Sequence, residues 1–423
     1  MRQRSARRLR RIAVATVIAM VPLAIMLIAM SDLLRTKPVT VSLDYIPVVA
    51  IDQASSNIGI ADSELFNMST TDIVASFNEM QNLGVNTVRI IVPWAAVQPY
   101  APNAANGAFR DWSKVDFIVQ QATNRGMSVL GAINSTPLNW GSQGPGLPYV
   151  AAPDPQSFAN FAGEVAKRYG DRISAYEIWN EPNSFLYWNP GVDPASYTQM
   201  LKLAYHAIKT ANDVNGVVNP NDPMVVAGVF TSVLDAGDAF MSPVTFLNKM
   251  YQNGAKGYFD ALSFHPYHFT TMFSAGINNG YPYEPIDQLI QMRQLMMSMG
   301  DSALRIWATE YGLPTAGDHA VSEQVQATFI NDFLKTWTNL KNLYPTLGDF
   351  AGPAYLFTMR DRIGAGALTE DGSYGLFKWD TAVQQWVAKG AIQVWDAATQ
   401  SWMMKSAFDI IKSFIENPVG LVV

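Results

Sequence analysis

The chain has 423 residues, no cysteine, and 29 basic against 35 acidic side chains. Without cysteine, a disulfide scaffold, thiol catalysis and Cys-ligated metal are excluded, while a chain this long buries enough surface to need no covalent staples. Residues 1–11 hold six Arg and no acid, which leaves 23 basic side chains against the 35 acidic ones, a formal charge of about −12 that repels nucleic acid.

Arg7, Arg8, Arg10 and Arg11 precede an apolar run from Ile12 to Met30, broken only by Thr16 and Pro22. Such a run is long enough to span a bilayer. It is followed by Ser31-Asp-Leu-Leu-Arg35 rather than a small-x-small cleavage site, so the pattern predicts a transmembrane signal anchor over 12–30. Residues 1–11 then form a cytoplasmic basic segment, and the rest of the chain is extracellular, single-pass on the cell membrane, or secreted if the anchor is cleaved. The paired arginines match a twin-Arg export signal only weakly. Residues 31–46 read as a linker.

From 47 to 423 strand and helix signals alternate. A first strand lies within Val48–Ile60. Ser69-Thr-Thr-Asp72 offers N-caps for a helix with Ile73, Val74, Phe77 and Met80 on its apolar face and Gly84 beyond its end. Val85–Val92 reads as strand two, Trp112–Asn124 as helix two and Met127–Ile133 as strand three. Asp154-Pro155 opens helix three, strand four runs through Ile173–Trp179, and Asp193-Pro194 opens helix four. Met224–Val229, Ala261–Phe264, Leu304–Thr309 and Ala354–Phe357 are strands five to eight. Pro243–Gln252, Ile286–Met299, Ser322–Leu343 and Met403–Ile415 supply the remaining helices. Eight strand–helix pairs predict a closed (β/α)8 TIM barrel over an open doubly wound sheet, and no Gly-x-Gly-x-x-Gly turn follows a strand to suggest a nucleotide site.

One segment falls outside this alternation. Within 376–404, Trp379-Asp-Thr-Ala-Val-Gln-Gln-Trp386 recurs as Trp395-Asp-Ala-Ala-Thr-Gln-Ser-Trp402. Apolar flanks around a polar turn predict a duplicated β-hairpin, inserted as a small sheet before the last helix. Its Trp residues are expected to pack on the barrel rather than bind sugar.

Two strand ends carry the chemistry. Ala175-Tyr-Glu-Ile-Trp-Asn-Glu181-Pro-Asn183 and Ile306-Trp-Ala-Thr-Glu310-Tyr-Gly312 are each an apolar strand stopping at a Glu, and a barrel strand's C-terminal tip faces the active site. Glycosidic bond cleavage uses such a pair of carboxylates. Both segments resemble the acid/base and nucleophile strands of glycoside hydrolase clan A, the fourth and seventh of its barrel. The resemblance, closest to the cellulase-type families 5 and 39, covers Asn57–Ile415.

The resemblance implies a role for each matching residue. Arg89, a charge inside the apolar strand ending at Trp94, needs a partner if buried, and clan members carry such an Arg beside the nucleophile; Trp94, at the tip of that strand, is expected to bind substrate. Thr136-Pro-Leu-Asn-Trp140 resembles the turn whose aromatic shapes the substrate cleft. Asp260-Ala-Leu-Ser-Phe-His265-Pro-Tyr267 is similar to the strand-six segment whose His and Tyr hydrogen-bond substrate or nucleophile. The implied mechanism is retaining: Glu310 attacks the anomeric carbon, with Arg89 and Tyr267 keeping it anionic, while Glu181 protonates the leaving oxygen and Asn180 binds the 2-hydroxyl.

Strand eight departs from the clan. It lacks the usual terminal Trp, so Tyr355 or Phe357 is expected to floor the sugar subsite, with Arg360 and Asp361 adding polar contacts.

The four His, at 206, 265, 268 and 319, form no metal-ligand spacing, and neither metal nor cofactor is expected. The implied protein is a membrane-anchored glycosidase acting on a polysaccharide or oligosaccharide, probed most directly at Glu181 and Glu310. A transglycosylase on the same scaffold and a catalytically silent polysaccharide-binding barrel are the rival readings.

Overall fold

Local signals start most of the helices. Ser69 accepts a hydrogen bond from the Asp72 N–H and caps α1 (Thr70–Leu83), which ends at Gly84 with φ 90°. Asp154 caps α3 (Pro155–Tyr169), Asp193 caps α4 (Pro194–Thr210), and Ser242 caps α5 (Pro243–Gln252), each with proline in the first turn, where no amide hydrogen is missed. The other long helices are α2 (Ser113–Thr123), α6 (Pro285–Ser298), α7 (Glu323–Leu343), capped by Ser322, and α8 (Ala407–Glu416), and a single helical turn covers Trp94–Val97.

The computed structural model describes residues 49–213, 222–276, 284–382, 384–396 and 401–416. The expected membrane anchor at 12–30, the basic segment before it and the linker at 31–46 lie outside the described residues. Among those described, no helix is long and apolar enough to cross a membrane.

Eight strands form one closed parallel barrel: β1 (Ile58–Ala61), β2 (Thr87–Pro93), β3 (Ser128–Asn134), β4 (Ala175–Ile178), β5 (Met224–Thr231), β6 (Ala261–His265), β7 (Arg305–Tyr311) and β8 (Ala351–Phe357). Closure comes from β1 lying parallel to β8, with Ala61 opposite Phe357. The helices cover the outside, and α8 completes the ring between α7 and α1. The expected (β/α)8 TIM barrel is thus present.

Alternation along each strand divides inside from outside. A small apolar cluster of Ile51, Ala61, Leu130, Ala175, Val226, Ala261, Trp307 and Tyr355 fills the barrel centre. Two residues further along their strands, Ala175, Ala261 and Trp307 are followed by Glu177, Ser263 and Thr309, all buried. The barrel interior is therefore apolar below and polar above. The large hydrophobic core lies outside, between strands and helices.

The C-terminal repeat folds as two antiparallel hairpins, β9 (Phe377–Asp380) with β10 (Gln385–Ala388), and β11 (Ala391–Asp396) with β12 (Ser401–Ser406). In both, the two Trp of the repeat are directly opposed, Trp379 with Trp386 and Trp395 with Trp402. The hairpins form two separate two-stranded sheets. One expectation is corrected here: Met403–Ser406 belong to β12, so α8 begins at Ala407 and not at Met403. Hairpin pairing of the apolar Trp402–Met404 run takes those residues before a helix can.

Candidate active site

The carboxylates are presented by irregular backbone at two strand ends. After β4 the chain passes through Trp179 at φ 75° and Glu181 at φ 45°, both in the left-handed region that side chains with a Cβ avoid. Surrounding bonds fix this bend. The Glu181 N–H donates to Val229 O, the Trp179 indole to Tyr187 O, and Asn183 binds the backbone of Thr231 and Met241. On β7 the register with β8 shifts between Ala308 and Tyr311, and this irregularity brings both Thr309 and Glu310 to the site.

Arg89 sits at the centre. Its Nε donates to Glu177 Oε2 at 2.5 Å, its Nη1 to Glu310 Oε1 at 2.5 Å and its Nη2 to Asn180 Oδ1 at 3.0 Å. The Tyr267 hydroxyl donates to Glu310 Oε2 at 2.9 Å. His265 Nδ1 is 2.9 Å from Glu181 Oε1 and 3.8 Å from Glu310 Oε2. One ring nitrogen thus reaches both carboxylates, whose nearest oxygens lie no farther apart than the two distances laid end to end, about 6.7 Å.

The electrostatics follow from one cation among several acids. Burial pushes the Glu310 carboxyl above its ordinary range, with the Arg89 charge and the Tyr267 hydrogen bond pulling it back and Glu177 adding to the rise. The Arg89 charge therefore only partly offsets the burial of Glu310. It is shared with Glu177, so two buried carboxylates compete for one cation. His265 is pushed below its ordinary value by burial, and Arg89 adds to that against Glu181 and Glu177, so the ring is neutral.

The structure brings together Glu181, Glu310, Arg89, Asn180, His265 and Tyr267. His265 bonds to Glu181 and stands farther from Glu310. Phe357 is half-buried at the end of β8 with its ring 5.3 Å from Tyr374, which in turn packs 6.0 Å from Tyr267.

Of the other expected positions, Trp94, Tyr355, Arg360 and Asp361 are corrected. Trp94 is wholly buried, packed between Trp140, Phe158 and Phe161 with its indole N–H on Gln98, and has no face left for a sugar. Tyr355 points into the barrel centre and bonds Thr87: it shares the inward face with Phe357 but lies two residues deeper in the barrel. Trp140 is half-buried, edge-on to Trp94, with its indole on Pro99 O. Arg360 and Asp361 are also turned from the cleft: Arg360 pairs with Glu79, and Asp361 with Lys389.

Sequence reading missed Glu177, Thr309, Tyr187 and Tyr374. Glu177 had a visible signal, since a buried Arg89 demands a partner and Glu177 is a charge inside a neighbouring strand. Tyr187 and Tyr374 come from long loops; both are held un-ionised, Tyr187 chiefly by the charge of Glu181, Tyr374 chiefly by burial, with Glu310 contributing to each. Among the described residues no group of His, Asp and Glu is arranged to hold a metal ion.

Comparison with known proteins agrees with this architecture. No curated protein matches the chain. Solved structures similar to it include a family 39 glycoside hydrolase from the gut symbiont Bacteroides cellulosilyticus WH2, at 16% identity and TM-score 0.58, covering 81% of this chain and 62% of that one. A GH39 enzyme from Xanthomonas axonopodis pv. citri matches at 14% identity and TM-score 0.54, covering 86% and 67%. A GH39 β-xylosidase from Caulobacter crescentus matches at 14% and 0.52, covering 81% and 70%. At these identities the likeness is one of fold, and the chain spans less than two thirds of the Bacteroides protein's length. The profile of one sequence family, by contrast, matches residues 51–344, from before β1 through α7 and including every residue of the Arg89 network. By that match the chain belongs to the cellulase family, glycosyl hydrolase family 5.

Proposed function

We propose that the protein is a retaining glycosidase that cleaves β-linked polysaccharide or oligosaccharide by double displacement. The observation that carries this reading is the shared contact of His265 with both Glu181 and Glu310. Their nearest oxygens, at most about 6.7 Å apart, lie at the short end of or below the ~6.5–9.5 Å range of inverting pairs, which favours the ~5–5.5 Å spacing of a retaining pair.

In the first step Glu310 attacks the anomeric carbon and forms a glycosyl ester, while Glu181 gives its proton to the departing oxygen. Arg89 and Tyr267, each on a different Glu310 oxygen, orient the attacking lone pair. In the second step Glu181, now a carboxylate, takes a proton from water, which attacks the same carbon and frees Glu310. Asn180, whose Oδ1 accepts from Arg89 Nη2, binds a sugar hydroxyl beside the reacting carbon in this reading. With a sugar in place of water the same steps give transglycosylation.

The test is a panel of p-nitrophenyl β-glycosides with wild type, Glu310→Gln and Glu181→Ala. The wild type releases nitrophenol. Glu310→Gln is inactive on all substrates, and external azide partly restores Glu181→Ala as the β-glycosyl azide. Equal activity of both variants and wild type sinks the assignment, and glycan binding without any turnover favours the silent barrel. We further propose that residues 12–30 anchor the enzyme with the barrel outside the cell, which protease treatment of intact cells tests by loss or survival of the barrel.

A further inference from the structure

Behind the acid–base carboxylate lies a polar chain that the mechanism above does not use. Ser263 and His265 alternate along β6 toward the barrel interior, and Thr309 meets them from β7. All three are 0% exposed. His265 Nδ1 is 2.9 Å from Glu181 Oε1, and Nε2 is 3.0 Å from Thr309 Oγ1, which also hydrogen-bonds the Ser263 hydroxyl.

A neutral imidazole carries one N–H, and its position decides the direction of the whole chain. If the hydrogen is on Nε2, it donates to Thr309, Thr309 donates to Ser263, and Nδ1 accepts from a protonated Glu181. That arrangement fails once Glu181 ionises, because a ring lone pair then faces a carboxylate with no hydrogen between them. If the hydrogen is on Nδ1, it donates to Glu181 Oε1 in either state of the acid. Nε2 then accepts from Thr309, and Thr309 accepts from Ser263. Glu181 loses and regains a proton in every double displacement, and nothing in this buried chain carries a proton from one ring nitrogen to the other. Only the Nδ1–H arrangement serves the full cycle.

We propose that Ser263 and Thr309 are positioning residues that hold His265 as its Nδ1–H tautomer, so that Glu181 Oε1 is always occupied as an acceptor and the catalytic proton travels on Oε2. This rests on the reading of Glu181 as the acid and base. The proton balance is simple: Oε2–H goes to the leaving oxygen, the hydrogen from the attacking water returns to Oε2, and the three hydrogens of His265, Thr309 and Ser263 stay on their own atoms. The charges facing the ring are Arg89 from β2, Glu177 and Glu181 from β4 and its loop, and Glu310 from β7, with the Tyr267 hydroxyl after β6. Arg89 offsets part of the acids' pull, and burial keeps the ring neutral.

The first measurement needs no variant and no substrate. Nitrogen NMR on the full chain labelled with 15N-histidine, which has four such residues, should show one ring with Nδ1 protonated and Nε2 bare, unchanged from about pH 4 to about pH 9. A ring with hydrogen on Nε2, or one that changes tautomer with pH, overturns the proposal. The second uses Thr309→Val, which keeps the shape but removes the donor to Nε2. Expected is a fall of about tenfold in kcat/KM on glycosides with poor leaving groups, less than twofold on dinitrophenyl glycosides, a moved basic limb of the pH profile, and recovery in Thr309→Ser. Equal losses on both substrate types, or no recovery with Ser, reduce Thr309 to a packing residue and overturn it. Should Thr309→Val not fold, Ser263→Ala is read the same way with a smaller effect. If azide fails to restore Glu181→Ala while the NMR shows the Nδ1–H ring, the acid–base reading has failed and not the wiring.

Discussion

The lower and upper halves of the barrel interior are built by the same strands and obey different rules. Ala175, Ala261 and Trp307 sit in the apolar centre, and Glu177, Ser263 and Thr309 follow two residues later in the polar layer. The step between them is about 6.6 Å of strand. Below it, each side chain contributes its own contact area, and losing one leaves the others in place. Above it, no group is independent: Arg89 is satisfied only by Glu177, Glu310 and Asn180 together, and His265 only by Glu181 and Thr309. The cost of a subtraction from apolar packing is set by the cavity left and is independent of pH, whereas in a buried ionic network it is set by the charge left unpaired.

The largest effect that separates the two layers is on turnover. Glu310→Gln should lower kcat by at least ~1,000-fold while changing unfolding free energy by less than ~1 kcal/mol, because the amide keeps the shape and removes a charge that burial disfavours. A comparable loss of stability would show the two layers to be one.

Next in size is a matched pair of stability losses. Trp307→Ala should cost ~3–5 kcal/mol by leaving a cavity, equally at pH 4.5 and pH 8. Arg89→Met should cost a similar ~3–5 kcal/mol at pH 8, by stranding two buried carboxylates, but less at pH 4.5, where they can protonate. Denaturant titrations at the two pH values check this. Parallel pH profiles would break the comparison.

A smaller effect is expected at Asp62, just past β1, where burial lifts the carboxyl to about 7. A carboxyl whose folded pKa is raised favours the folded state when protonated. Stability is therefore lost as pH climbs from 3.8 towards about 7 and stays lost above it. Asp62→Asn should match wild type below pH 3.8 and exceed it by on the order of 2 kcal/mol at pH 8. A melting-temperature gain that is the same at both ends would sink the assignment.

The smallest belongs to the first C-terminal hairpin, where the Arg360 guanidinium lies 4.6 Å over the Trp386 ring. Trp386→Ala should cost roughly 1 kcal/mol and leave KM on short glycosides unchanged. A rise in KM would mean that this Trp binds sugar instead of packing.

What could be read from the sequence was what is encoded locally. Ser69, Asp154 and Asp193 mark helix starts because a cap needs only the next three residues, and those starts match to within one residue. Glu181 and Glu310 were legible because an apolar strand that stops at an acid is itself a short-range pattern. Whether a residue at a strand end faces the cleft or the centre is not local. Tyr355 and Phe357 are both aromatic and share the inward face, and only their depth in the closed barrel makes the first fully buried and the second half-buried. Trp94 failed for a similar reason: α3 brings Phe158 and Phe161 against it from more than sixty residues away. Tyr187 and Tyr374, which feel the charge of the carboxylates, come from loops whose path no periodicity describes.

Lys389, between the two hairpins, is 1% exposed, and its ammonium bonds Thr315 Oγ1 at 2.7 Å, Asp361 Oδ1 at 2.8 Å and Ser373 O at 2.7 Å. Those partners lie in the loops that leave β7 and β8, the strands of Glu310 and Phe357. For anyone grafting this catalytic mouth onto another barrel, the hairpin is thus not an appendage to be trimmed. A graft ending at Tyr374 would leave Asp361 in a dry site with no cation, and both loops would lose the bolt that joins them. The transferable cassette runs from Glu310 through at least Gly390, and a recipient that accepts the two strands must also find room for the hairpin.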